Sequence, residues 1–329
     1  MSGKTYVAID GGNSKTHLVI GESAGRVLGF VRGPGSCPHN IGLPSCIALL
    51  DSLVSRGLAE AGLPPGTVLD RADVYVAGAD LPVEVDELTK AVGEAGWARE
   101  HRVDNDLFAL LRAGTSAPDA VAVVCGAGIN CVGRAADGRT ARFPSLGTLS
   151  GDWGGGHHLA ELTIWHAARG EDGRGPATAL SAAVAAHFGQ PTVAEVSAGL
   201  HLGELAAQRS PDLVPTLFAI AAAGDPVARS LVARQAEEVV SMATVAARRL
   251  GLLDKAYTVV LGGGVLAAKH ALLHDAVVAG IQGAAPHAVV TLVADPPVAG
   301  AALLALDAFG RTDPELESMV RTAVRAATE

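Results

Sequence analysis

The stretch that most constrains this chain is its first apolar segment together with the polar loop that ends it. Residues 5–10 read as a strand, a turn follows, and a polar cluster leads into a second strand; the loop consists of Asp10, Gly11, Gly12, Asn13, Ser14, Lys15 and Thr16. Glycines let backbone N–H groups approach a ligand without an intervening Cβ. Such backbone nests favour anions, and the carboxylate of Asp10 suits a hydrated divalent cation. The stretch therefore predicts a phosphate and magnesium loop, with an ordinary glycine-rich hairpin as the alternative.

The length, composition and net charge of the chain limit the classes of protein to which it can belong. A length of 329 residues predicts about two domains. The chain is 49% hydrophobic but only 4% aromatic, so its core must be built from Ala, Val, Leu and Ile. The net charge is −9 and there is no run rich in Lys or Arg, which argues against a nucleic-acid partner. None of the four cysteines forms a C-x-x-C pair, which predicts reduced and mostly buried thiols.

The beginning of the chain and its apolar stretches bear on location. No basic region followed by an apolar run and a cleavage site is present at the N-terminus. Gly, Pro, His or charged residues interrupt every apolar stretch before it reaches the roughly 18 residues of a membrane span. We therefore expect a soluble cytoplasmic protein with no membrane partner.

The chain contains the same pattern twice. Three short strands over 5–10, 16–21 and 26–31 are followed by alternating helices and strands, which predicts a mixed sheet with helices packed on it. A strand, a glycine turn and two further strands start again at Ala120. Polar turns ending in Gly25-Arg26 and Gly138-Arg139 occupy equivalent places in the two halves. These observations predict an internal duplication with a period a little over one hundred residues.

Three glycine turns each follow an apolar strand. They are Asp10-Gly11-Gly12, Gly126-Ala127-Gly128 and Gly262-Gly263-Gly264. The first two hairpins can hold a polyphosphate, and the third turn opens a helix predicted over 265–282 and can pack against a nucleoside. None of them matches the P-loop or the dinucleotide-binding fingerprint, so those two classes are excluded.

These three motifs and the Gly151-Asp152 element resemble the phosphate, connecting and adenosine motifs of the actin-like ATPase and sugar kinase superfamily. More closely, they resemble the BadF/BadG/BcrA/BcrD ATPase family and its N-acetylglucosamine kinase branch, from residue 5 to about 310. The resemblance implies an α/β fold with two duplicated actin-like (ribonuclease H-like) domains, whose mixed five-stranded sheets face a central cleft. The implied domains are residues 1–117, residues 118–311, and a C-terminal helix over 312–329 that can pack back on the N-terminal domain.

The resemblance also implies roles for individual residues. Asp106 would be the catalytic base, Asp10 would hold the Mg²⁺ shell, and the three glycine turns would bind ATP, with Lys15 and Thr16 near the phosphates. Asn40, Asn130 and Asp152 would contact the sugar, and Asp80 is either a further substrate contact or only the end of a strand. Three alternatives stay open at this point. Asp106 can be a plain helix N-cap, Asp104 is a rival base, and Asn40 can be an ordinary turn residue.

The sequence departs from the family pattern at three places. Ala127 stands where the second phosphate loop usually has Thr, which removes a hydroxyl donor. Trp153 stands where a carboxylate is usual, and Ile41 rather than an aromatic residue follows Asn40. These departures leave the N-acetyl group of the sugar in question, with glucosamine or another hexose as competitors.

The resemblance implies one leading activity and two alternatives. The leading one is ATP-dependent phosphorylation of the 6-hydroxyl of an amino sugar or related hexose, by a chain that the family pattern allows to form a homodimer. A dehydratase-activating ATPase of the same family would need cysteine-bound iron–sulfur clusters, and Cys125 and Cys131 are the nearest candidates. A non-catalytic sensor of sugar or nucleotide is the third class.

Overall fold

The computed structural model describes residues 3–311 and 313–328, and the chain divides into two compact units. One unit comprises Met1–Ala122 together with Val293–Glu329, and the other comprises Val123–Leu292. The strands of the first unit are β1 (Thr5–Gly11), β2 (Lys15–Glu22), β3 (Val27–Pro34), β4 (Leu69–Val76) and β5 (Ala98–Asn105). Its helices before the boundary are α1 (Pro38–Ile41), α2 (Leu43–Glu60), α3 (Pro82–Ala95) and α4 (Asp106–Gly114).

The first sheet has the strand order β3-β2-β1-β4-β5 and is mixed. The pairs β1–β2 and β2–β3 are antiparallel, whereas β1–β4 and β4–β5 are parallel. One face of the sheet carries Val7, Ile9 and Val74, which pack with Leu50 and other apolar side chains of α2 into a buried cluster. The alternation of side chains along β1 follows from the period of two in a strand, so Asp10 lies on the face opposite Ile9.

The second unit repeats this arrangement. Its strands are β6 (Ala120–Cys125), which crosses the boundary, β7 (Ile129–Arg134), β8 (Thr140–Arg142), β9 (Tyr257–Gly262) and β10 (Ala288–Leu292). Its helices are α5 (Gly156–Asp172), α6 (Leu180–Phe188), α7 (Val193–His201), α8 (Leu213–Ala222), α9 (Pro226–Leu250), α10 (Gly264–Ala267) and α11 (Ala271–Ala284). The sheet order β10-β9-β6-β7-β8 corresponds, strand for strand, to the first sheet. The predicted duplication and the predicted α/β class with two mixed five-stranded sheets are therefore confirmed.

The single helix predicted over 265–282 is two helices. Lys269 has a φ of 51°, in the left-handed region, and His270 is extended with ψ 119°. A left-handed residue ends an α-helix because it turns the following N–H away from the helix axis. Helix α10 therefore ends at Ala267 and α11 begins at Ala271.

The predicted second domain ended at residue 311, and the structure corrects this boundary. Helices α12 (Pro297–Ala308) and α13 (Pro314–Thr328) belong to the first unit, while Thr312 lies outside the described residues. Helix α12 packs on α4, β1 and β4. A Cβ built on Gly300 would lie 1.8 Å from the carbonyl oxygen of Ala109, so only glycine permits this close approach of α12 to α4. This close packing buries α12 against the first unit, which explains why α12 belongs to that unit.

A buried arginine joins α4, α12 and α13. The Arg112 side chain on α4 is 3% exposed, and its guanidinium donates to both carboxylate oxygens of Asp307 at 2.8 and 3.1 Å. It also donates to the carboxylate of Glu317 on α13 and, at 3.0 Å, to the hydroxyl of Ser116. A buried guanidinium needs such paired acceptors because its transfer out of water is costly. The last helix is thereby fixed to the helix that begins with Asp106.

The length and hydropathy of the helices bear on whether they could span a membrane. Within residues 3–311 and 313–328, no helix taken singly is both long enough and apolar enough to cross a bilayer. The successive segments Ala207–Ala222 and Pro226–Leu250 pass the length and composition test as a pair, with a bend of 111° at the break.

We expect Glu317→Ala to lower the free energy of unfolding by about 2 kcal/mol, because it leaves a buried guanidinium with fewer acceptors. The measurement is urea unfolding followed by circular dichroism. Glu315→Ala, at an exposed position two residues earlier on α13, is the matched control and should change the midpoint little. Equal midpoints for the two variants would contradict the role given to this ion pair.

Candidate active site

The polar residues predicted for catalysis meet at one edge of the first sheet. In the parallel register, Gly11 pairs with Val76 and Val76 pairs with Asn105, so β1, β4 and β5 end at the same level. Asp10 is the penultimate residue of β1, and Asp106 follows β5 directly. The carboxyl ends of parallel strands are the usual place for ligands in open α/β sheets.

The glycines of the first loop are required by close packing. A Cβ on Gly11 would lie 2.3 Å from Oγ of Ser36 and 2.7 Å from Cγ1 of Val76. The backbone N–H of Gly12 donates to the carbonyl of Lys15 at 2.9 Å and closes the turn. The segment after β3 lies against this turn, since a Cβ on Gly35 would meet the carbonyl oxygen of Asn13 at 2.1 Å. One side of the hairpin is thus packed against the segment that contains Gly35 and Ser36.

The tip of the hairpin is exposed and polar. Asn13, Ser14 and Lys15 are exposed, and Asn40 donates from Nδ2 to Oδ1 of Asn13 at 3.0 Å. The proposed sugar contact Asn40 and the phosphate loop are therefore adjacent in the structure. Asn40 lies in α1, so it is held by a short helix rather than by an open turn.

Thr16 is placed differently from what the sequence suggested. Its side chain is fully buried, and its hydroxyl donates to the carbonyl oxygen of Pro34 at 2.8 Å and hydrogen-bonds Ser36 at 2.9 Å. Those partners engage the hydroxyl within the protein, so Thr16 braces the hairpin. Ser36, which sequence reasoning did not single out, is part of the same brace and is also fully buried.

The carboxylates of Asp10 and Asp106 lie close enough to interact. Burial, and then the charge of Asp106, raise the pKa of Asp10 to about 8, while the Lys15 ammonium lowers it. Burial, and then the charge of Asp80, raise the pKa of Asp106 to about 7, while backbone N–H groups at the start of α4 lower it. Burial is thus the larger cause of both shifts, and the neighbouring carboxylates add to it.

Asp106 is not the N-cap of α4. The cap is Asn105, whose Oδ1 accepts the backbone N–H of Leu107 at 3.0 Å. This assignment leaves the Asp106 carboxylate at the first position of the helix, where its charge interacts favourably with the helix dipole. The rival base, Asp104, is buried and accepts a hydrogen bond from Arg102 at 3.0 Å. The Asp104 carboxylate is already engaged by the Arg102 guanidinium, so the geometry favours Asp106.

Asp80 lies in the same group. Its carboxylate accepts a hydrogen bond from Nδ2 of Asn105 at 2.9 Å. The backbone N–H groups of Asp80 and Leu81 both donate to Oε2 of Glu84, at 3.0 and 2.8 Å, at the start of α3. The other oxygen of Glu84 lies 2.7 Å from Nε2 of His39. The loop after β4 is therefore fixed from two sides.

These carboxylates suit a magnesium ion. Mg²⁺ in phosphoryl-transfer sites is usually bound through one or two carboxylates, with water and substrate phosphates completing its shell. Asp10, with Asp106 close enough to interact, offers such oxygen donors. A divalent cation there would lower both pKa values. Within the described residues, no group of three or more His, Cys, Asp or Glu is arranged as a metal site.

The second unit brings the other two glycine turns together. A Cβ on Gly263 would lie 2.4 Å from the carbonyl oxygen of Cys125, so this turn packs on the end of β6. The N–H of Gly156 donates to the carbonyl of Gly126 at 2.7 Å, and that of His157 donates to Ala127 at 3.0 Å. In contrast, a Cβ on Gly128 would meet nothing within 4 Å. Open space beside Gly128 is what a close-fitting ligand needs.

A cavity of about 370 Å³ adjoins these turns within the second unit. Its apolar wall contains Phe218 on α8, whose ring stacks on that of His270 with centroids 4.2 Å apart and planes at 5°. The remaining lining residues are Gly126, Ala127, Gly156, His157, Pro211, Val214, Pro215, Gly264, Val265 and Ala268. This size and apolar character suit a nucleoside. Sequence reasoning missed Phe218 and His270, because no local pattern joins α8 to the residue before α11.

Asn130 and Asp152 also lie in the second unit. Asn130 on β7 is buried, and its Oδ1 accepts the N–H of Cys131 at 2.6 Å. Asp152 follows a short 3-10 helix and accepts a hydrogen bond from the Ser150 hydroxyl at 2.6 Å. Trp153, where the family pattern has a carboxylate, packs edge-on against the ring of His158 with centroids 5.0 Å apart. The two proposed sugar contacts are thus held by neighbours, and their contact with sugar stays a prediction.

All four cysteines are free and buried, as predicted. Burial raises the pKa of the Cys125 thiol to about 12 and that of the Cys131 thiol further. Thiols of raised pKa are poor metal ligands, because the thiolate is the ligating form. This argues against the dehydratase-activating alternative.

The two sheets of repeated order, with glycine turns after β1, β6 and β9, define a protein of the actin-like ATPase class. The model of the BadF/BadG/BcrA/BcrD ATPase family matches residues 7–305, and the chain belongs to that family. The family predicted from the motifs is therefore confirmed.

Two curated relatives and two solved structures are similar over most of the chain. An N-acetyl-D-glucosamine kinase of Dictyostelium discoideum is 26% identical over 322 residues, covering 93% of this chain and 99% of the relative. An N-acetylmuramic acid/N-acetylglucosamine kinase of Clostridium acetobutylicum is 24% identical and covers 80% of this chain and 86% of the relative. A Chromobacterium violaceum structure, provisionally described as an N-acetylglucosamine kinase, has a TM-score of 0.69 at 21% identity, covering 92% and 99% of the chains. A ROK family glucokinase from Streptomyces griseus, with glucose and AMPPNP, has a TM-score of 0.53 at 17% identity, covering 91% and 98%. The two structures support the fold.

Two glycine variants separate packing from ligand binding. We expect Gly263→Ala to cost about 1–3 kcal/mol of stability, because its φ of 84° with ψ of 151° suits only glycine and its Cβ would clash. Gly128→Ala should leave the thermal midpoint unchanged and weaken Mg²⁺-nucleotide binding about tenfold. Differential scanning fluorimetry and calorimetric titration give the two quantities. Unaltered nucleotide affinity in Gly128→Ala would contradict a phosphate contact at this turn.

The pH dependence of stability tests the raised pKa of Asp106. The unfolded carboxyl ionises near its ordinary value, about 4, whereas the folded one ionises near 7. Between these values the folded state binds more protons, so this group removes stability as the pH rises from about 4 to 7. The midpoint gain of Asp106→Asn over the wild type should therefore grow across that window and then level off. Asp86→Asn, at an exposed position on α3, should show no such trend.

Proposed function

We propose that this chain is an ATP-dependent carbohydrate kinase. Its acceptor would be the 6-hydroxyl of an amino sugar, N-acetylglucosamine or glucosamine, or of a related hexose. The observation that carries the proposal is the placement of Asp106, partly buried, free of the cap role and beside Asp10 and Asp80 at the ligand edge of the first sheet. The names of the two curated relatives, both sugar kinases, support the same reaction class.

The groups of the first unit would perform the proton transfer and stabilise charge. Asp106, whose pKa of about 7 suits a general base near neutral pH, would accept the proton of the attacking hydroxyl. The Lys15 ammonium and the backbone N–H groups of the hairpin would face the phosphates. Asp10 would hold Mg²⁺, which neutralises the phosphate oxygens when it is bound. Phosphoryl transfer needs mainly such positioning and charge neutralisation.

The groups of the second unit would bind the nucleoside part of ATP. The cavity beside Phe218 and His270 offers an apolar wall for a purine, and the turn at Gly262–Gly264 lies at its edge. Ala127 contributes its backbone but no hydroxyl to the neighbouring loop. A lost hydrogen bond to a charged group costs about 1.5–3 kcal/mol, which an otherwise complete site tolerates.

The sugar side of the proposal rests on Asn40, Asp80, Asn130 and Asp152. Vicinal hydroxyls are recognised by side chains that donate and accept, and these four offer both. Trp153 places a large apolar ring beside Asp152, held by His158 and by the Arg234 guanidinium 5.7 Å from the ring centroid. The substrate panel below therefore includes sugars with and without an N-acetyl group.

The test is coupled ADP release over a panel of N-acetylglucosamine, glucosamine, glucose, N-acetylmannosamine and N-acetylmuramic acid. We expect at least one sugar to stimulate ADP release, and Asp106→Asn to reduce that rate by about a hundredfold or more. Mass spectrometry and NMR of the product identify the phosphorylated hydroxyl. Ligand-induced thermal stabilisation without turnover would instead indicate a sensor, and full activity in Asp106→Asn would exclude this residue as the base.

A further inference from the structure

Asn105 joins two segments of the candidate active site. It is the last residue of β5 and its side chain is buried, with 3% of the residue exposed. Its Oδ1 accepts the N–H of Leu107 at 3.0 Å, and its Nδ2 donates to Oδ1 of Asp80 at 2.9 Å. Both ends of one amide are thus engaged, one with the helix that begins at Asp106 and the other with the loop after β4.

The two contacts need an amide at this position. Ser, Thr, Asp and Asn all cap helices well, so the bond to Leu107 alone does not require Asn. The bond to the Asp80 carboxylate requires a donor, which Asp lacks and which Ser is too short to supply at the same time. The backbone of Asp80 is already fixed, because its N–H and that of Leu81 donate to Glu84. The contact with Asn105 therefore acts on the direction of the Asp80 carboxylate.

We propose that Asn105 is a positioning residue that holds the Asp80 carboxylate facing Asp106 while it caps the helix that Asp106 begins. The role rests on the proposed function of Asp106 as the base. Asn105 acts through its two neighbours and does not itself touch the reacting atoms. Asp80 thereby becomes a fixed charge at the site.

The charges that face Asp106 come from several elements. Asp10 at the end of β1 and Asp80 after β4 are carboxylates, and the Asp80 charge raises the pKa of Asp106. The buried Cys37 thiol after β3 also interacts with Asp80 and Asp106, and Lys15 on the hairpin is the cation that lowers the pKa of Asp10. Because the Asp80 charge acts on Asp106, the direction of the Asp80 carboxylate affects the field in which Asp106 would accept a proton.

Two single variants at residue 105 test the contact with Asp80. Asn105→Ser keeps a helix cap and releases Asp80, so kcat should fall about tenfold. Asn105→Asp keeps the cap and places a second carboxylate where the donor to Asp80 stood, so kcat should fall similarly. A residue with only a structural role would lower the urea midpoint and leave the kcat of the folded variants unchanged.

An exchange of the two side chains tests the hydrogen bond directly. In Asn105→Asp combined with Asp80→Asn, the donor and the acceptor are swapped and the net charge is unchanged. The double variant should recover the urea midpoint lost in Asn105→Asp. Its kcat should exceed that of Asn105→Asp, although Asp80→Asn also changes a proposed sugar contact. Additive loss of the urea midpoint would overturn the proposal. So would kcat values of Asn105→Ser and Asn105→Asp that match the wild type.

The test of the role of Asn105 can be separated from the test of kinase activity. If the wild type shows no sugar-stimulated ADP release, the kinase proposal fails at that step. The urea midpoints of the four proteins then still decide whether residues 80 and 105 are coupled, since unfolding needs no substrate. If the wild type is active but the exchange restores neither kcat nor midpoint, only the role of Asn105 fails.

Discussion

The candidate active site depends on carboxylates that one sheet edge holds together against their mutual repulsion. The parallel register brings the ends of β1, β4 and β5 to one level, and partial burial raises the pKa of both Asp10 and Asp106. A protein maintains such an arrangement only where the surrounding structure fixes it, and here Glu84, Asn105 and the capped start of α4 do so. The same repulsion makes the site a good host for a divalent cation, which links the electrostatic cost to the proposed chemistry.

Helices α12 and α13, near the C-terminal end of the chain, pack against the helix that begins at Asp106. Helix α12 packs so closely on α4 that Gly300 has no room for a side chain, and Arg112 ties α4 to both α12 and α13. The helix that presents Asp106 is therefore braced by segments about two hundred residues away in sequence. Such contacts fix the position of α4, and the role proposed for Asp106 requires a fixed position.

The second unit provides a different kind of site from the same strand order. Its glycine turns meet beside an apolar cavity, and packing between the turns explains Gly263, whereas a Cβ on Gly128 would enter open space. The duplicated sheet thus carries a group of carboxylates at the strand ends of one copy and an apolar cavity beside the glycine turns of the other. The strand order does not distinguish the two units, whereas the side chains at their strand ends do.

The sequence by itself determined the strands, the duplication, the family and most of the strand-end residues, because these depend on local periodicity and on glycine turns at fixed places. Tertiary structure decided the rest. The cap of α4 is Asn105 rather than Asp106, Thr16 turns inward to Pro34 and Ser36, and α12 joins the first unit. The cavity wall at Phe218 and His270 and the contact of Asn105 with Asp80 were likewise invisible in the sequence. Each of these depends on which distant segments share a volume, and the spacing of residues along the chain does not contain that information.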